Sequence, residues 1–399
     1  MDFININECS KCGICRSVCP VFLAVNDEVM SPRGKISLIE AFLEEEIIDI
    51  ERYTDIIRSC IKCRRCSGVC PVGVRVEKLI QSARELLYSE IPSEAKEIFS
   101  SILDNEFQSR LRKAKGTNTV NTEKTLPLWF LPLLFHNKAY LPELAEKTIL
   151  EKYDEYMKAY SNSSLQVSLF VGCSINYSNT FIADSAIEVL RKLNVDVYIP
   201  KDQVCCSAPL LLYGDTESAR EYALRNIRAL MSEESDAIIT LCPACGVTLR
   251  QDYEDIIEGD IVNFTNKVYD ISEFIDIHIN YKVKKMDFTV TYHDPCYLRL
   301  GQKVFNEPRQ ILNKSANFIE MKNADKCCGL GGTLGYFHPE ISERIGKSKI
   351  ESIIQTKTEV VAAGCPGCIM FIKEMLRRQG INKEVLHTIQ ILEKSLQEI

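Results

Sequence analysis

The placement of cysteine constrains this chain more than any other feature of its sequence. All 18 cysteines fall into four groups, and none stands outside a group. The groups are Cys9, Cys12, Cys15 and Cys19; Cys60, Cys63, Cys66 and Cys70; Cys173, Cys205, Cys206, Cys242 and Cys245; and Cys296, Cys327, Cys328, Cys365 and Cys368. With 399 residues, of which 46% are hydrophobic, the chain can bury cores without disulfide cross-links. Grouped thiols in such a chain indicate metal binding or catalysis.

The rest of the composition excludes several classes of protein. The net charge of −7 argues against nucleic-acid binding. The opening residues MDFININEC lack the basic and apolar regions of a signal peptide, so we expect a cytoplasmic protein. No apolar run reaches about 18 residues, which predicts no transmembrane helix. The nearest candidate, Leu126–Phe135, is broken by Pro127 and Pro132; we interpret it as a buried connector segment, with a docking or quinone-facing surface as the alternative.

The two N-terminal groups share the motif C-x2-C-x2-C-x3-C-P, in Cys9–Pro20 and Cys60–Pro71. This run is typical of ferredoxins with two 4Fe-4S clusters, in which the fourth cysteine binds the other cluster. One predicted cluster therefore has the ligands Cys9, Cys12, Cys15 and Cys70, and the other has Cys60, Cys63, Cys66 and Cys19. Helical spacing in Lys35–Ile50 and Val76–Tyr88 predicts that this region is helical. Zinc sites are the alternative, but zinc knuckles lack the third close thiol and the proline.

The two C-terminal groups form an internal repeat. Equivalent cysteines lie 122 or 123 residues apart, and the segments before them are alike. These β-prone segments are Ser168–Gly172 and Phe288–Pro295 before the lone cysteines, and Ala237–Leu241 and Val360–Gly364 before the Cys-Pro-x-Cys pairs. The pattern predicts two α/β domains with cysteines at the carboxyl ends of strands, where open sheets bind ligands. Zinc and inert structural thiols are the alternatives for these two groups.

The repeats read C-x31-CC-x35-C-x2-C and C-x30-CC-x36-C-x2-C, and they resemble the cysteine-rich CCG domains of heterodisulfide reductase. The segments Tyr292–Cys296 (YHDPC), Glu307–Arg309 (EPR) and Cys327–Thr333 (CCGLGGT) carry this resemblance. With the ferredoxin motifs ahead of the repeats, nearly the whole chain resembles the D subunit of heterodisulfide reductase. It is equally similar to the iron–sulfur subunits of glycolate oxidase, lactate utilisation systems and anaerobic glycerol-3-phosphate dehydrogenase, which Ser31–Lys35 (SPRGK) also fits.

The resemblance implies an α+β multidomain chain, in which an N-terminal all-α ferredoxin domain precedes two repeated α/β CCG domains. The expected boundaries are 1–99 for the ferredoxin domain, 100–163 for a helical connector, and 164–280 and 281–399 for the CCG domains. In this family, complete cysteine quintets hold noncubane 4Fe-4S clusters that split a disulfide in one-electron steps. The resemblance therefore implies one or two such clusters here, beside the two of the ferredoxin domain. Their implied ligands are Cys173, Cys205, Cys206, Cys242 and Cys245 in the first repeat, and Cys296, Cys327, Cys328, Cys365 and Cys368, as the catalytic set, in the second.

Three positions near the quintets bear on their chemistry. His293 is a candidate catalytic residue, because it could deliver a proton to a leaving thiolate or donate a hydrogen bond to a cluster sulfur. The alternative is a histidine whose ring is satisfied by backbone groups at a strand end. Ser207 stands where the CCG pattern has glycine, and serine tolerates positive φ poorly, so we expect a different loop shape there. The run Gly329–Gly335 does not match G-x-G-x-x-G and is interpreted as a tight wrap around a cluster.

These observations predict an iron–sulfur redox subunit of a multi-subunit oxidoreductase, similar to heterodisulfide reductase. It would pass electrons through two cubanes to or from the CCG sites. The alternative is the electron-transfer subunit of a flavin-dependent glycolate, lactate or glycerol-3-phosphate dehydrogenase that delivers electrons to a quinone or membrane carrier. No flavin or nicotinamide motif appears in the chain, so a flavoprotein subunit or a membrane b-type cytochrome is the expected partner. Such a partner would also hold the protein at the cytoplasmic membrane. A zinc-stabilised interaction protein is a third hypothesis, which the cubane motifs disfavour.

Overall fold

The computed structural model describes residues 6–88, 144–332 and 334–396. The apolar run Leu126–Phe135 and most of the expected connector lie outside these residues. Within the described part of the chain, no helix is both long and apolar enough to cross a membrane.

The N-terminal region is helical, as the spacing of its apolar residues predicts. Its helices are α1 (Pro20–Val25), α2 (Pro32–Leu43), α3 (Ile50–Arg58), α4 (Arg65–Gly68) and α5 (Val76–Tyr88), with 3-10 turns at Ile6–Glu8, Ile14–Val18 and Glu28–Met30. Helix α5 has the predicted bounds. The predicted helix Lys35–Ile50 is wrong at its carboxyl end, because α2 stops at Leu43 and Glu45 takes a left-handed φ of 60°. Glu40 and Glu44 are four residues apart, and like charges at this spacing disfavour a further helical turn.

Each C-terminal repeat forms a parallel sheet. The strands are β1 (Tyr156–Met157), β2 (Leu165–Phe170), β3 (Val195–Tyr198), β4 (Ala237–Thr240) and β5 (Val268–Asp270) in the first sheet, and β6 (Thr289–His293), β7 (Asn317–Phe318), β8 (Val360–Ala363) and β9 (Glu384–His387) in the second. The strand orders are β1-β3-β2-β4-β5 and β7-β6-β8-β9. All pairs are parallel except β1 with β3. Apart from β1, the two sheets have one topology, and the predicted α+β class with a repeated α/β unit is confirmed.

Helices cover both sheets. They are α6 (Ile149–Lys152), α7 (Gly172–Tyr177), α8 (Thr180–Lys192), α9 (Ala208–Tyr213), α10 (Thr216–Leu230), α11 (Pro243–Val247), α12 (Tyr253–Ile256), α13 (Val262–Thr265), α14 (Ile271–His278), α15 (Glu307–Ser315), α16 (Leu334–Phe337), α17 (Pro339–Gln355), α18 (Pro366–Arg378) and α19 (Thr388–Leu396), with π-helical turns at Thr248–Asp252 and Tyr297–Gln302. One apolar core contains residues of both repeats. At its edge Ser185 of α8 donates a 2.6 Å hydrogen bond to Glu393 of α19. The repeats are therefore packed as one body, and their cysteine loops face each other.

Two adjacent arginines join the ferredoxin region to the two repeats. Arg64 pairs with Asp252 of the first repeat at 3.3 Å, and Arg65 pairs with Asp325 of the second at 3.1 Å. Arg65 also donates to the Asp325 carbonyl. Both arginine side chains are largely buried, at 11% and 13% exposure. The loop that carries Cys63 is thus fixed against both repeats at once.

We expect Arg65→Ala to lower the free energy of unfolding by about 1–3 kcal/mol, the usual effect of removing a charged hydrogen-bond donor from a partly buried pair. Because this arginine fixes the Cys63 loop, the magnetic coupling between reduced clusters on the two sides should also weaken. Thermal unfolding and paramagnetic resonance of the reduced protein measure the two effects. Arg220→Ala is the control, since Arg220 pairs with an exposed Glu258 and should matter by less than about 1 kcal/mol. Equal effects of the two variants would contradict the prediction.

Candidate metal centres

The eight N-terminal cysteines line two neighbouring cavities. One cavity is lined by Cys19, Cys60, Cys63 and Cys66. The other is lined by Cys9, Cys12, Cys15 and Cys70, and Cys66 also reaches its wall. Four thiols per cavity is the ligand number of a cubane, so the donor sets fit the group. Cys12 is exposed while Cys63 and Cys66 are buried, so the ligands of the first cavity, called the inner cavity below, lie deeper than those of the second, outer one.

Proline after cysteine begins a helix at three of the cysteine sites. Pro20, Pro243 and Pro366 occupy the first turns of α1, α11 and α18, and the preceding cysteine is the N-cap in each case. Proline suits this position because its φ is already helical and its missing N–H would have had no partner. Of these three helices α18 is the longest, and its amino terminus places a partial positive charge beside Cys365. The Cys-Pro sequence thus fixes where the helix begins and places the positive end of the helix dipole beside the thiol.

Two buried cations stand beside the inner cavity. The Lys35 ammonium donates to the Met30 carbonyl at 2.5 Å, and burial lowers its pKa while the Cys60 and Cys19 thiolates oppose that shift. Arg84 donates to three backbone carbonyls, including that of Cys60 at 2.5 Å. Burial likewise lowers the pKa of Arg84. Positive charge at these positions favours an anionic thiolate cluster in this cavity.

The second quintet gathers around Cys328. The Cys328 and Cys368 sulfurs lie 3.2 Å apart, and with a ring nitrogen of His293 they form a set whose atoms all lie within 4.8 Å. Cys327 neighbours Cys328 in the chain, and the thiolate of Cys296 acts on it electrostatically. All five cysteines of this group lie at one end of the second sheet, past the carboxyl ends of β6 and β8. The structure thus brings together the residues that the repeat pattern predicts.

The first quintet has the same arrangement. The Cys173 and Cys205 sulfurs are 3.9 Å apart, and Cys206 accepts hydrogen bonds from the thiols of Cys205 and Cys245. These hydrogen bonds lower the pKa of Cys206 to about 6. Cys328, the equivalent residue of the second repeat, also has a lowered pKa because Cys327 and Cys368 donate to it. In both repeats the second cysteine of the Cys-Cys pair is therefore readily deprotonated for metal binding. In the first repeat, hydrogen bonds from Cys245 and Cys365 also lower the pKa of Cys242.

Ser207 adopts the left-handed backbone that the CCG pattern assigns to glycine. Its φ is 74°, compared with 111° for Gly329 in the second repeat. The buried hydroxyl of Ser207 donates to the Ala219 carbonyl at 3.1 Å, which offsets part of the backbone strain. The expectation of a differently shaped loop is therefore wrong in its main point, since both loops turn with positive φ.

The four cysteine groups form a continuous series. Cys63 of the inner cavity and Cys296 of the second repeat lie close enough for each thiolate to act on the other, and both belong to one apolar cluster with Val21, Ile61 and Leu334. At the other end, the Cys365 thiol of the second repeat interacts with Cys242 of the first. Each step thus joins two groups that are remote in sequence. Through Cys296 and Cys365 the second quintet therefore neighbours both the ferredoxin cysteines and the first quintet.

His293 is buried at the end of β6 with 1% exposure. Neither ring nitrogen has a hydrogen-bond partner among oxygen or backbone groups of the described residues, so the interpretation as a backbone-satisfied histidine is wrong. Burial lowers its pKa, the Lys349 cation lowers it further, and the Cys328 thiolate opposes both. The ring is therefore neutral and faces the second quintet.

Sequence reasoning missed three kinds of residue at these centres: the paired arginines of the Cys63 loop, the buried Lys349, and the strand-end pair Asp270 and His387. Asp270 ends β5 and His387 ends β9, at equivalent places in the two repeats, and both are fully buried. Asp270 Oδ1 accepts from the Ser272 N–H at 2.8 Å, and His387 Nδ1 accepts from the Ile389 N–H at 3.2 Å. The alignment of strand ends between the repeats was the one signal that could have identified this pair.

These two groups should give opposite pH dependences of stability. Burial raises the pKa of Asp270 to about 7, so the folded chain holds a proton there that the unfolded chain releases, and stability falls as pH rises between about 4 and 7. Burial lowers the pKa of His387 to about 4, so its contribution is present above about pH 6.5 and is lost as pH falls towards 4. In the native chain the two contributions nearly cancel.

Asp270→Asn keeps the helix cap and removes the titration of Asp270, so that of His387 remains. The free energy of unfolding should then rise with pH by up to about 1.4 kcal/mol per pH unit between pH 5 and 6.5. His387→Gln should show the reverse slope. Anaerobic thermal unfolding across this range measures both variants. Parallel pH profiles of the two variants would contradict the assignment.

Comparisons with known proteins agree with this architecture. A family model described as a 4Fe-4S dicluster domain matches residues 5–74, and one described as a cysteine-rich domain matches residues 167–250 and 290–373. An uncharacterized iron-sulfur protein of Methanococcus maripaludis is 31% identical over 98% of this chain and 74% of that protein. The probable glycolate oxidase iron-sulfur subunit of Bacillus subtilis is 28% identical over 96% of this chain and 92% of that protein. The D subunit of the dihydromethanophenazine:CoB–CoM heterodisulfide reductase of Methanosarcina acetivorans is 24% identical, over 92% and 88%.

Proposed function

Since the chain belongs to the family of iron–sulfur proteins that join a 4Fe-4S dicluster domain to two cysteine-rich CCG domains, we propose that it moves electrons between its ferredoxin ligands and a redox site at its CCG quintets. The chain is an iron–sulfur subunit of an oxidoreductase and carries 4Fe-4S clusters. The observation that carries the proposal is the proximity of Cys63 and Cys296, which belong to one apolar cluster and lie close enough that, besides burial, the Cys296 thiolate raises the pKa of Cys63. It brings a ferredoxin ligand near a ligand of the second quintet.

We propose the following ligand sets. The outer cubane would be held by Cys9, Cys12, Cys15 and Cys70, and the inner one by Cys19, Cys60, Cys63 and Cys66. The CCG sites would be held by Cys173, Cys205, Cys206, Cys242 and Cys245, and by Cys296, Cys327, Cys328, Cys365 and Cys368. The crossing of Cys19 and Cys70 to the other motif's cavity supports the two cubane sets. The domain boundaries 1–99, 100–163, 164–280 and 281–399 are part of the same proposal.

When bound, the clusters supply single-electron chemistry, and the residues of the chain supply the rest. The apolar cluster around Ile61 and Leu334 excludes water between the inner cavity and the second repeat, which lowers the local dielectric. His293 is proposed as the proton carrier, because its ring lies beside Cys328 and Cys368 and has no hydrogen-bond partner among the oxygen and backbone groups of the described residues. It would take up a proton and pass it to a thiolate that leaves the second site. The main proposal is thus disulfide reduction of the heterodisulfide reductase type at the CCG quintets.

The relatives are subunits of multi-subunit oxidoreductases, so the chain works in a hetero-oligomer. A second candidate function is electron transfer for a flavin-dependent dehydrogenase of glycolate, lactate or glycerol 3-phosphate. The similarity to the Bacillus subtilis glycolate oxidase subunit, over nearly the full length of both chains, favours it. We propose a flavoprotein dehydrogenase or a membrane b-type cytochrome as the partner subunit, with a quinone as the acceptor in the first case.

Anaerobic affinity purification of the tagged chain from its native host tests these alternatives. A b-type haem protein without flavin, together with reduction of a thiol disulfide, would establish the main proposal. A flavoprotein that co-purifies with its flavin, and reduces this chain on addition of a hydroxy acid, would replace it with the second candidate. Iron and acid-labile sulfide limited to two cubanes would overturn the proposed CCG ligand sets in either case.

A further inference from the structure

The two CCG repeats place different charges at one structural position. Helices α10 and α17 follow the two Cys-Cys loops and begin 123 residues apart. The same offset pairs Asn226 of α10 with Lys349 of α17. Both side chains are buried, with exposures of 0% and 1%. A neutral amide in the first repeat is therefore an amine in the second.

Asn226 holds the first Cys-Cys loop through neutral hydrogen bonds. Its Oδ1 accepts from the Val204 N–H at 2.8 Å, and its Nδ2 donates to the Cys205 carbonyl at 2.9 Å. Nδ2 also donates to the Tyr253 hydroxyl at 3.0 Å. The amide thus satisfies the loop without adding charge beside the first quintet.

Lys349 holds the loop before Cys327 with an ammonium. Its Nζ donates to the Asn323 carbonyl at 2.8 Å and the Ala324 carbonyl at 3.0 Å, and the Met321 sulfur lies 3.8 Å away. These three acceptors match the three donors of an ammonium group. Burial lowers the pKa of Lys349 to about 8, and the Cys328 and Cys327 thiolates oppose that shift, so the amine is mostly charged at pH 7.

The other charges near the second quintet are already paired. Asp294 is buried and accepts from Arg309 at 2.7 Å and from Arg299 at 3.1 Å. Asp325 pairs with Arg65. Lys349 itself forms no ion pair with a carboxylate within the described residues, although Asp325 acts on it from a distance. The ammonium therefore adds positive charge that no neighbouring carboxylate neutralises.

We propose that Lys349 gives the second CCG site a higher reduction potential than the first, so that an electron from the ferredoxin clusters stays first at the second site. Uncompensated positive charge stabilises the reduced, more negative form of a cluster, and net charge is one of the factors that set cluster potentials. Each step moves one electron, which the partner subunit supplies through the ferredoxin domain. The first site then receives the second electron. This inference rests on the ligand sets proposed above.

The residues that end the equivalent strands β2 and β6 also differ, and again the second repeat has the more polar side chain. Phe170 ends β2 and His293 ends β6, again 123 residues apart. The first quintet thus faces a phenyl ring where the second faces an imidazole. The polar ring can stabilise added negative charge on a neighbouring sulfur, whereas the phenyl ring cannot. The two sites therefore have different surroundings, although their sheets have the same topology and their cysteines have equivalent positions.

An anaerobic redox titration of the intact protein, followed by paramagnetic resonance, tests the proposal. Cys206→Ser and Cys328→Ser serve only to assign the two CCG signals. We expect the signal of higher potential to be the one lost in Cys328→Ser. Lys349→Met should shift that potential downward by at least a tenfold change in the one-electron equilibrium, or about 59 mV, while Lys349→Arg should leave it in place.

Asn226→Lys is the reciprocal variant and should raise the potential of the first site. It decides the matter if Lys349→Met assembles no second cluster, because it adds a cation to the first repeat and leaves the second repeat intact. Equal shifts in Lys349→Met and Lys349→Arg, or an unchanged first-site potential in Asn226→Lys, would overturn the inference. Iron content separates this result from failure of the ligand assignment, since missing CCG clusters would appear as lost iron and sulfide before any titration.

Discussion

Cys328→Ser is expected to abolish turnover while both ferredoxin signals remain at full intensity. Cys328 lies 3.2 Å from Cys368 and within reach of His293, so its loss removes the central thiol of the second quintet. Its pKa is also lowered by hydrogen bonds from Cys327 and Cys368, and the hydroxyl of serine is a far weaker acid and a harder ligand. We expect at least a hundredfold loss of kcat, because the proposed disulfide chemistry requires the quintet that this thiol completes.

The measurement combines steady-state turnover with paramagnetic resonance of the reduced protein. The matched control is Cys206→Ser, which removes the equivalent thiol of the first repeat and should also leave the ferredoxin signals intact. Cys63→Ser is the contrasting variant, since Cys63 lines the inner cavity and should lose a ferredoxin signal. Loss of a ferredoxin signal in Cys328→Ser would show that the partition of cysteines between ferredoxin and CCG sites is wrong.

Gly329→Ala is expected to destabilise the second repeat by about 3–5 kcal/mol and to deplete its iron. Gly329 has a φ of 111°, and a Cβ there would lie 2.6 Å from the Ser342 carbonyl oxygen and 2.9 Å from the Gly346 nitrogen. Both are backbone atoms of α17, which cannot move aside without shifting the helix that carries Lys349. Overpacking of this kind adds to the cost of positive φ for a residue with a side chain.

Gly259→Ala separates the two costs. Gly259 also has positive φ, 101°, but no neighbouring atom of the described residues lies within 4 Å of the added Cβ. We therefore expect a loss of only about 1–2 kcal/mol from the backbone conformation. Thermal unfolding compares the two variants, and iron analysis shows whether the second quintet still assembles. If the two variants lost similar amounts of stability, the packing of Gly329 against α17 would not be tight.

The first repeat shows why glycine is needed at one loop and not the other. Ser207 occupies the equivalent position, and its hydroxyl donates to the carbonyl of Ala219, the counterpart of Ser342. In the second repeat the Ser342 hydroxyl instead donates to the Gly329 carbonyl at 2.8 Å, and the helix lies against the glycine. The same loop is thus compatible with a side chain only where the helix leaves room for it.

The sequence determined the local features of this protein. The bounds of α5, the cysteines past the carboxyl ends of β2, β4, β6 and β8, and the two-fold repetition of the sheet all follow from patterns within short segments. Apolar periodicity and proline after cysteine act through neighbouring residues, so they can be recognised without knowing the fold. The end of α2 at Leu43 could not be recognised in this way, because apolar residues continue at helical spacing to Ile50 across a run of glutamates.

Only the tertiary structure decided how the four cysteine groups are connected. Cys63 and Cys296 are more than two hundred residues apart in the chain, and they lie near each other because the ferredoxin region packs against both repeats, where the Arg64 and Arg65 ion pairs hold it. In the sequence, Lys349 is one of several lysines of an amphipathic helix. Only the packing of α17 places its ammonium beneath the second Cys-Cys loop. Spacing in the sequence specifies which thiols can share a site, whereas the order of the sites and the charge around each one arise from packing between residues that are distant in the chain.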